Sequence, residues 1–313
     1  MTKISLDNTA HTNMNPPLVS IGIVAYNQED FITEAIQGAI DQDYRPLEII
    51  VADDCSTDRT PEIIRRFSER YPDLVIPVIG QKNLGVTGNS NRALAMCKGK
   101  YISIFGGDDV LLPNKISRQV EWMEENDNRV FCGHACEIFY DASDIAPKIV
   151  YPYHISGSGA KAIILDGPPY FAPSVLFRRS ALPAYGFDDR VQVVSDFMLW
   201  VDLAGKQGQW GSVDGVYARY RKHAGGLSHI SRQEVLLNDI ERVIDIGTMN
   251  YGLRDYANIS KMNLVTIPKL ILRIKKRDYY RFVIDFTSTL ISQPIVFLKS
   301  FVHLLKIRLR KLN

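Results

Sequence analysis

Two pairs of adjacent aspartates are the first residues in this chain whose types and spacing could carry chemistry. Asp53-Asp54 follows the apolar run LEIIVA, and Asp108-Asp109 follows YISIF across two glycines. Neighbouring carboxylates repel each other unless a cation or a partner compensates them, so a divalent metal is the natural suggestion for these pairs. The alternative for Asp108-Asp109 is an ordinary surface turn, where Asp is common.

The elements that must position these pairs alternate regularly along the first part of the chain. Apolar, strand-forming runs are each followed by a short turn and a segment with helical period; the strands are expected at 18–26, 47–52, 74–79 and 101–105, and the helices at 31–41, 60–70, 89–97 and 113–126. This order predicts an α/β fold with a Rossmann-like, doubly wound and mostly parallel sheet. Ligands bind outside the carboxyl ends of the strands in such sheets, so both acidic pairs are expected on one rim.

The rhythm changes after residue 129. Strands are expected at 130–140, 174–178 and 215–220 and a helix at 197–204, with an irregular excursion over 142–167. Beyond residue 231 the pattern is helical, over 233–249, 256–262, 268–277, 278–292 and 294–312. We therefore divide the chain into a flexible lead (1–17), an α/β domain (18–230) and a helical C-terminal region (231–313).

Composition narrows the class of protein. The 313 residues carry 37 basic and 35 acidic side chains, a net charge of +2. Four cysteines give no disulfide framework, which fits a reducing cytoplasm. The amino terminus lacks the apolar segment of a secretory signal, and no window is long and apolar enough for a transmembrane helix.

The small net charge hides a basic tail. From Leu264 onward there are eleven Lys/Arg and two Asp, a net +9 that leaves −7 for the rest. In 294–312, basic residues share one helical face and apolar residues the other: Lys299, His303, Lys306 and Arg310 against Leu298, Phe301, Leu305, Leu309 and Leu312. Such a helix can lie in a membrane interface and attract anionic lipid. The alternative is packing on the body or on a second subunit, and a homo-oligomer is compatible with the pattern. No nucleic-acid-binding motif is recognisable, so we expect no nucleic-acid partner.

Two nucleotide-binding motifs are absent. There is no G-x-G-x-x-G after the first strand and no Walker A sequence, so a backbone-amide cradle for phosphate is not expected. A diphosphate can be held through a metal instead.

Five blocks, in order and spacing, resemble the inverting family 2 glycosyltransferases of GT-A fold. They are the opening VAYN, the D-D-x-S-x-D-x-T block, the N-x-G loop, the G-x-Y-I strand and the D-D pair that ends it, and the likeness covers about residues 18–230. The resemblance implies an enzyme of cell-surface polysaccharide biosynthesis at the cytoplasmic face of the membrane. Its expected substrates are a nucleotide-diphosphate sugar and a saccharide or lipid-linked acceptor, with Mg²⁺ or Mn²⁺ as cofactor.

The resemblance also implies roles for single residues. Asp196 would be the general base, and Asp109 would bind the metal with His223 beside it. The donor nucleotide would be bound by Val24, Ala25, Tyr26, Asp53, Asp54, Asn83, Gly85 and Asp108.

The chain departs from the family pattern at three positions. Cys55 replaces the usual glycine of D-D-G-S, which is tolerable if that position needs no positive φ. Gly106 replaces the first acid of D-x-D-D, and Ser195 replaces the acid before the base, for which Asp188 and Asp189 are the fallback. The loss at Gly106 keeps a non-catalytic, nucleotide-sugar-binding scaffold open as an alternative. A nucleotidyltransferase is the other alternative, although it would normally show a Gly-rich phosphate loop after the first strand.

Cys132-x-His134-x-Cys136 could suggest zinc. A fourth ligand at suitable spacing is absent, and alternation along a strand explains the pattern better.

Overall fold

A computed structural model describes residues 15–141, 144–152, 156–226, 233–275 and 279–300. Ten strands form one sheet: β1 Val19–Ala25, β2 Leu47–Asp53, β3 Val75–Ile79, β4 Tyr101–Gly106, β5 Val110–Leu111, β6 Arg129–Tyr140, β7 Lys148–Val150, β8 Ser156–Ser158, β9 Leu176–Arg178 and β10 Gln209–Lys222. The α-helices are α1 Ile32–Ile40, α2 Thr60–Arg70, α3 Gly85–Met96, α4 Lys115–Glu124, α5 Lys161–Asp166, α6 Ser195–Ala204, α7 Gln233–Asn250, α8 Arg254–Lys261, α9 Ile267–Lys275 and α10 Tyr279–Ser292.

The sheet order is β3-β2-β1-β4-β9-β6-β10-β5, with β7 on β6 and β8 on β10. Strands β3, β2, β1 and β4 are mutually parallel, and the short β9 is antiparallel to both β4 and β6. Strand β10 is parallel to β6, so β6 and β10 run in the same direction as β4. The expectation of a doubly wound, mostly parallel sheet is confirmed.

Because the strands share one direction, the residues that could carry chemistry lie at one edge of the sheet. The carboxyl ends of β1, β2, β4, β6 and β10 all lie at the same rim of the sheet, because the strands run parallel. Asp53 is the last residue of β2 and Asp54 follows it; Asp108-Asp109 and His223 follow the ends of β4 and β10. The rim is therefore built from segments that are far apart in sequence.

Helices cover both faces of the sheet. Side chains alternate along the buried strands, so Ile49 and Val51 of β2 join one hydrophobic cluster with α1, α2 and α4, whereas Ile50 and Ala52 join another with α3, α5 and α6. Helix α6 is mostly apolar, with seven of its ten residues buried hydrophobics, because it lies between the sheet and α7.

The helical C-terminal region packs on this body. Val243 of α7 is fully buried in the same cluster as α6, and Leu253 and Leu264 pack against it. A five-residue π-helical segment, Met262–Thr266, joins α8 to α9. The division at residue 230 stays a prediction, as does the helix over 294–312, of which residues 294–300 are helical and 301–313 lie outside the described residues. Within the described segments no helix is long and apolar enough to cross a membrane.

Two parts of the chain differ from the sequence expectation. Strand β10 begins six residues earlier than expected, since register shifts between Ser212 and Val216 let the strand continue through Asp214 and Gly215. Within 142–167 the structure has β7, β8 and α5 rather than only irregular chain. The two strands are three residues each and exist through pairing with β6 and β10, which a local pattern does not show.

Candidate active site

The Asp108-Asp109 turn is fastened to the end of β10. The amide of Asp109 donates to the carbonyl of Gly106 at 3.0 Å, and β5 then pairs with β10. This pairing places the backbone amide of Arg221 beside the Asp109 carboxylate. The amide donates to Oδ1 of Asp109 at 2.9 Å. Asp109 is only 3% exposed, and burial together with the charge of Asp108 raises the pKa of its carboxyl well above the ordinary value.

Asp108 and His223 form the more open part of the same turn. The Nε2 atom of His223 lies 3.0 Å from Oδ2 of Asp108, and its ring packs against Phe31 at 4.8 Å between centroids. The other Asp108 oxygen and Oδ2 of Asp109 both face the space above Gly106. They lie 2.5 Å and 3.9 Å from the point where a Cβ on Gly106 would stand.

The chemical types of these residues, two carboxylates and one imidazole, suit a divalent cation. Two carboxylates and an imidazole are a donor set that Mn²⁺ accepts, and the carboxylates alone suit Mg²⁺. Burial and the charge of Asp108 favour the neutral form of the Asp109 carboxyl, and a bound cation would favour its ionised form instead. Among the described residues, no group of three or more His, Cys, Asp or Glu is arranged to hold a metal ion by itself, so ligands from a bound diphosphate would have to complete the coordination.

Arg221 holds the rim together, a role that the sequence pattern did not predict. Its guanidinium, 7% exposed, pairs with Glu34 at 2.5 Å and Asp141 at 3.1 Å, and donates to the carbonyl of Asp108 at 2.8 Å. The rings of Phe31 and Phe139 flank it at 4.8 and 4.5 Å. The only sequence signal is a basic residue two positions before His223 at the end of an expected strand.

On the other side of the rim, Tyr26 directly follows β1 and is 49% exposed, whereas Ala25, the last residue of the strand, is buried. The Asp53 carboxylate shapes the next loop: it accepts from the amide of Ser56 at 2.9 Å and from the Ser56 hydroxyl. Between them Cys55 has φ +64°, a left-handed conformation. The position does need a positive φ, so the condition under which cysteine would be tolerable there is not met.

Asp54 connects this loop to the N-x-G segment. Its two oxygens accept the amides of Leu84 and Gly85, each at 2.8 Å, and Nη1 of Arg92 at 3.0 Å. Asn83 adds a second acceptor for Gly85 at 3.0 Å, and Gly85 has φ +74°. Asp54 is 2% exposed, so it fixes the position of this loop; its predicted contact with a nucleotide base stays a proposal.

Asp196 lies in the first turn of α6, on the opposite side of the sheet from α1 and α4. It is partly buried, and Oδ1 accepts from the amide of Phe197 at 2.8 Å. Burial raises the pKa of its carboxyl. No hydrogen bond between described residues joins it directly to the Asp108-Asp109 turn.

The fallback carboxylates differ from Asp196. Asp188 is buried and held by Arg190, with a closest contact of 2.5 Å, and this pairing lowers the pKa of Asp188. Asp189 is exposed. A general base needs a pKa closer to the working pH, so the direction of these shifts favours Asp196.

Cys132, His134 and Cys136 lie on the buried part of β6. Burial raises the pKa of the Cys132 thiol to about 12 and lowers the pKa of His134 to about 3. The Cys136 thiol contacts the carbonyl of Ala218 at 3.3 Å. Protonated thiols do not bind zinc, and none of the three is part of a metal-ligand group within the described part of the chain.

Comparison with known proteins agrees with this geometry. The chain is 33% identical over 218 residues to the uncharacterized protein Rv1520 of Mycobacterium tuberculosis, which covers 67% of this chain and 60% of that protein. It is 28% identical over 233 residues, 70% of this chain and 83% of the relative, to the UDP-Glc:alpha-D-GlcNAc-diphosphoundecaprenol beta-1,3-glucosyltransferase WfaP of Escherichia coli. The chain thus spans less than two thirds of the length of the first of these relatives.

Solved structures show the same fold. The mannosyltransferase PcManGT of Pyrobaculum calidifontis, solved with GDP-Man and Mn²⁺, superposes with a TM-score of 0.57 at 15% identity, over 95% of this chain and 88% of that one. The model of Glycosyl transferase family 2 matches residues 20–186. The chain therefore belongs to glycosyltransferase family 2 and has the GT-A fold.

Proposed function

We propose that the protein transfers a sugar, with inversion, from a nucleotide-diphosphate donor to a saccharide or lipid-linked acceptor. The observation that carries the proposal is the sheet rim, where Asp108 and Asp109 face the space above Gly106, His223 contacts Asp108, and Asp54 fixes the neighbouring loop. Membership in family 2 supports the transferase class. The named activity of WfaP supports a lipid-linked acceptor, and the ligands of PcManGT support a nucleotide sugar with Mn²⁺.

In the proposed reaction, Asp196 accepts the proton of the acceptor hydroxyl. The acceptor oxygen then forms a bond to the anomeric carbon while the bond from that carbon to the diphosphate breaks, and one displacement inverts the configuration. Asp109 and Asp108, with His223 oriented by Asp108, would hold the Mg²⁺ or Mn²⁺. When bound, the cation offsets the negative charge that develops on the leaving diphosphate.

A thermal-shift panel tests the donor site. UDP, GDP and dTDP are each added to the full-length protein with and without Mn²⁺. We expect one nucleotide to raise the melting temperature, and only with Mn²⁺, since a ligand at one hundred times its Kd stabilises by about 2.7 kcal/mol. Asp109→Asn should lose the Mn²⁺-dependent increase in melting temperature, whereas Asp189→Asn, a control at an exposed residue, should keep it.

The catalytic assignment is tested on the same variants. Mn²⁺-dependent hydrolysis or transfer from UDP-glucose or GDP-mannose separates an enzyme from a nucleotide-sugar-binding scaffold. We expect Asp109→Ala and Asp196→Ala to lose activity with unchanged circular dichroism. Wild-type rates in either variant would overturn the assignment.

We further propose that the enzyme acts at the cytoplasmic surface of a membrane, to which the C-terminal helices bind. Helix α10 and the residues after it expose a row of apolar side chains between 42% and 80%: Val283, Ile284, Leu290, Ile291, Ile295 and Leu298. They recur at helical spacing, and the net charge of the tail complements anionic lipid.

Flotation with liposomes tests this attachment. Since Val265, Leu270 and Leu272 are buried, point substitutions disturb the fold less than deletion of the tail. The double variant Ile291→Glu/Ile295→Glu should float less with vesicles of phosphatidylcholine and phosphatidylglycerol. The control Val235→Glu, on α7, should float like the wild type, and equal flotation of all three would end the idea.

A further inference from the structure

A buried carboxylate of the C-terminal region grips the chain just before α6. Asp239 on α7 is 3% exposed, and its Oδ2 accepts the successive amides of Gln192 at 2.9 Å and Val193 at 2.6 Å. Its other oxygen accepts from Arg242 at 3.2 Å, a side chain that is mostly exposed. Two amides on one carboxylate oxygen are charge-assisted bonds, which are stronger than bonds between neutral groups. Asp239 lies 53 residues beyond the end of the family match at residue 186.

The same turn is held from its other side by α3. The Thr87 hydroxyl lies 2.7 Å from the carbonyl oxygen of Val191 and 3.1 Å from that of Gln192, to which it donates. Thr87 is 5% exposed and Val191 fully buried, so the bond between them is shielded from water. Thr87 lies two residues after Gly85, whose amide donates to Asp54. The start of α3 therefore supports both the N-x-G loop and this turn.

The turn sets the start of α6. The carbonyl of Val194 accepts the amides of Phe197 at 3.0 Å and Met198 at 3.4 Å, and this first helical turn contains Asp196. Helix α7 is pressed close to α6, since a Cβ on Gly247 would come within 3.1 Å of Val201. A shift of α7 relative to the turn would therefore reorient Asp196.

We propose that Asp239 is a positioning residue for Asp196, and that α7 thereby completes the acceptor side of the active site. The inference rests on the proposed function in that Asp196 is taken as the base. Its physical basis is that a base misplaced by about 1 Å can cost about a hundredfold in rate. A buried carboxylate that bonds two backbone amides restrains their direction, which a hydrophobic contact of the same helix does not.

The test uses the full-length chain with Asp239→Ala, Asp239→Asn and the control Val243→Ala, which weakens the packing of the same helix but leaves the two amide hydrogen bonds to Asp239 in place. The first readout is the Mn²⁺-dependent rate with UDP-glucose or GDP-mannose. We expect Asp239→Ala to lower kcat about tenfold to a hundredfold with a donor KM within about threefold of wild type. Asp239→Asn, which keeps an acceptor oxygen, should recover part of the rate, and Val243→Ala should keep the wild-type kcat.

The second readout does not need activity. Hydrogen exchange of the peptide over 188–198 should be faster in Asp239→Ala than in Val243→Ala, because only the former frees the amides of Gln192 and Val193. A kcat in Asp239→Ala equal to that of Val243→Ala, or unchanged exchange in this peptide, would overturn the inference. A wild-type protein inactive on both donors would instead contradict the proposed function, and the exchange would still decide whether Asp239 restrains the turn.

Discussion

A buried lysine offers a quantitative prediction about pH. Lys115 opens α4 with its side chain fully buried, and its Nζ donates to Ser103 Oγ at 2.9 Å, Gln119 Oε1 at 2.7 Å and the carbonyl of Val175 at 3.3 Å. All three acceptors are uncharged. Burial therefore lowers the pKa of Lys115 to about 7.

The direction in which stability changes with pH follows from comparing Lys115 in the folded and the unfolded protein. The folded protein disfavours the ammonium form, so the unfolded chain binds the extra proton between about pH 7 and the ordinary lysine value of 10.5. Stability thus rises with pH across this interval and is lowest below pH 7. One pKa unit is worth about 1.4 kcal/mol, so the whole interval corresponds to about 5 kcal/mol. Between pH 6 and pH 10 the change is about 4 kcal/mol.

Urea unfolding of Lys115→Met measures this contribution. The variant keeps the length of the side chain but loses the amine, and Gln119 then lacks its donor at a pH-independent cost of about 1–3 kcal/mol. We expect the unfolding free energy of the wild type to rise about 4 kcal/mol more than that of the variant between pH 6 and pH 10. The pKa of the neighbouring Cys132 thiol, raised to about 12, keeps it protonated over this range.

The control is Lys98→Met, at an exposed lysine. Its unfolding free energy should follow the wild-type pH dependence. Parallel curves for the wild type and Lys115→Met would refute the reasoning, because they would mean that the pKa of Lys115 is the same in the folded and unfolded states.

Three further predictions concern the rim and the base. Asp196→Asn should lower kcat by about a hundredfold to ten-thousandfold while the nucleotide-induced thermal shift persists; since burial raises the pKa of Asp196, the acid limb of the wild-type pH–rate profile should lie above the ordinary carboxyl value. Asp54→Ala should lower the unfolding free energy by about 2–4 kcal/mol, because two amides and Arg92 lose their acceptor, and unchanged denaturation in urea would contradict this. Cys55→Val should be less stable than Cys55→Gly by at least about 1 kcal/mol, since φ is +64°, and equal melting temperatures would count against a left-handed backbone there.

Much of the site could be predicted from local pattern. The runs before Asp53 and before Gly106 read as buried strands, and right-handed crossovers place the carboxyl ends of such strands at one edge. The sheet confirms that arrangement. The sequence therefore determined which edge carries the chemistry, because strand period, helix period and connection length are all local properties.

Tertiary structure alone decided how the edge is held. Arg221 meets Glu34 across 187 residues and Asp109 across 112, because β5 turns back to pair with β10. Asp239 reaches the turn before α6 only through the packing of α7 on α6. Neither contact leaves a periodic signal, since each depends on where two separate elements meet. The residue types that can do the chemistry are thus evident from short segments of the sequence, whereas their orientation comes from long-range contacts made by the folded chain.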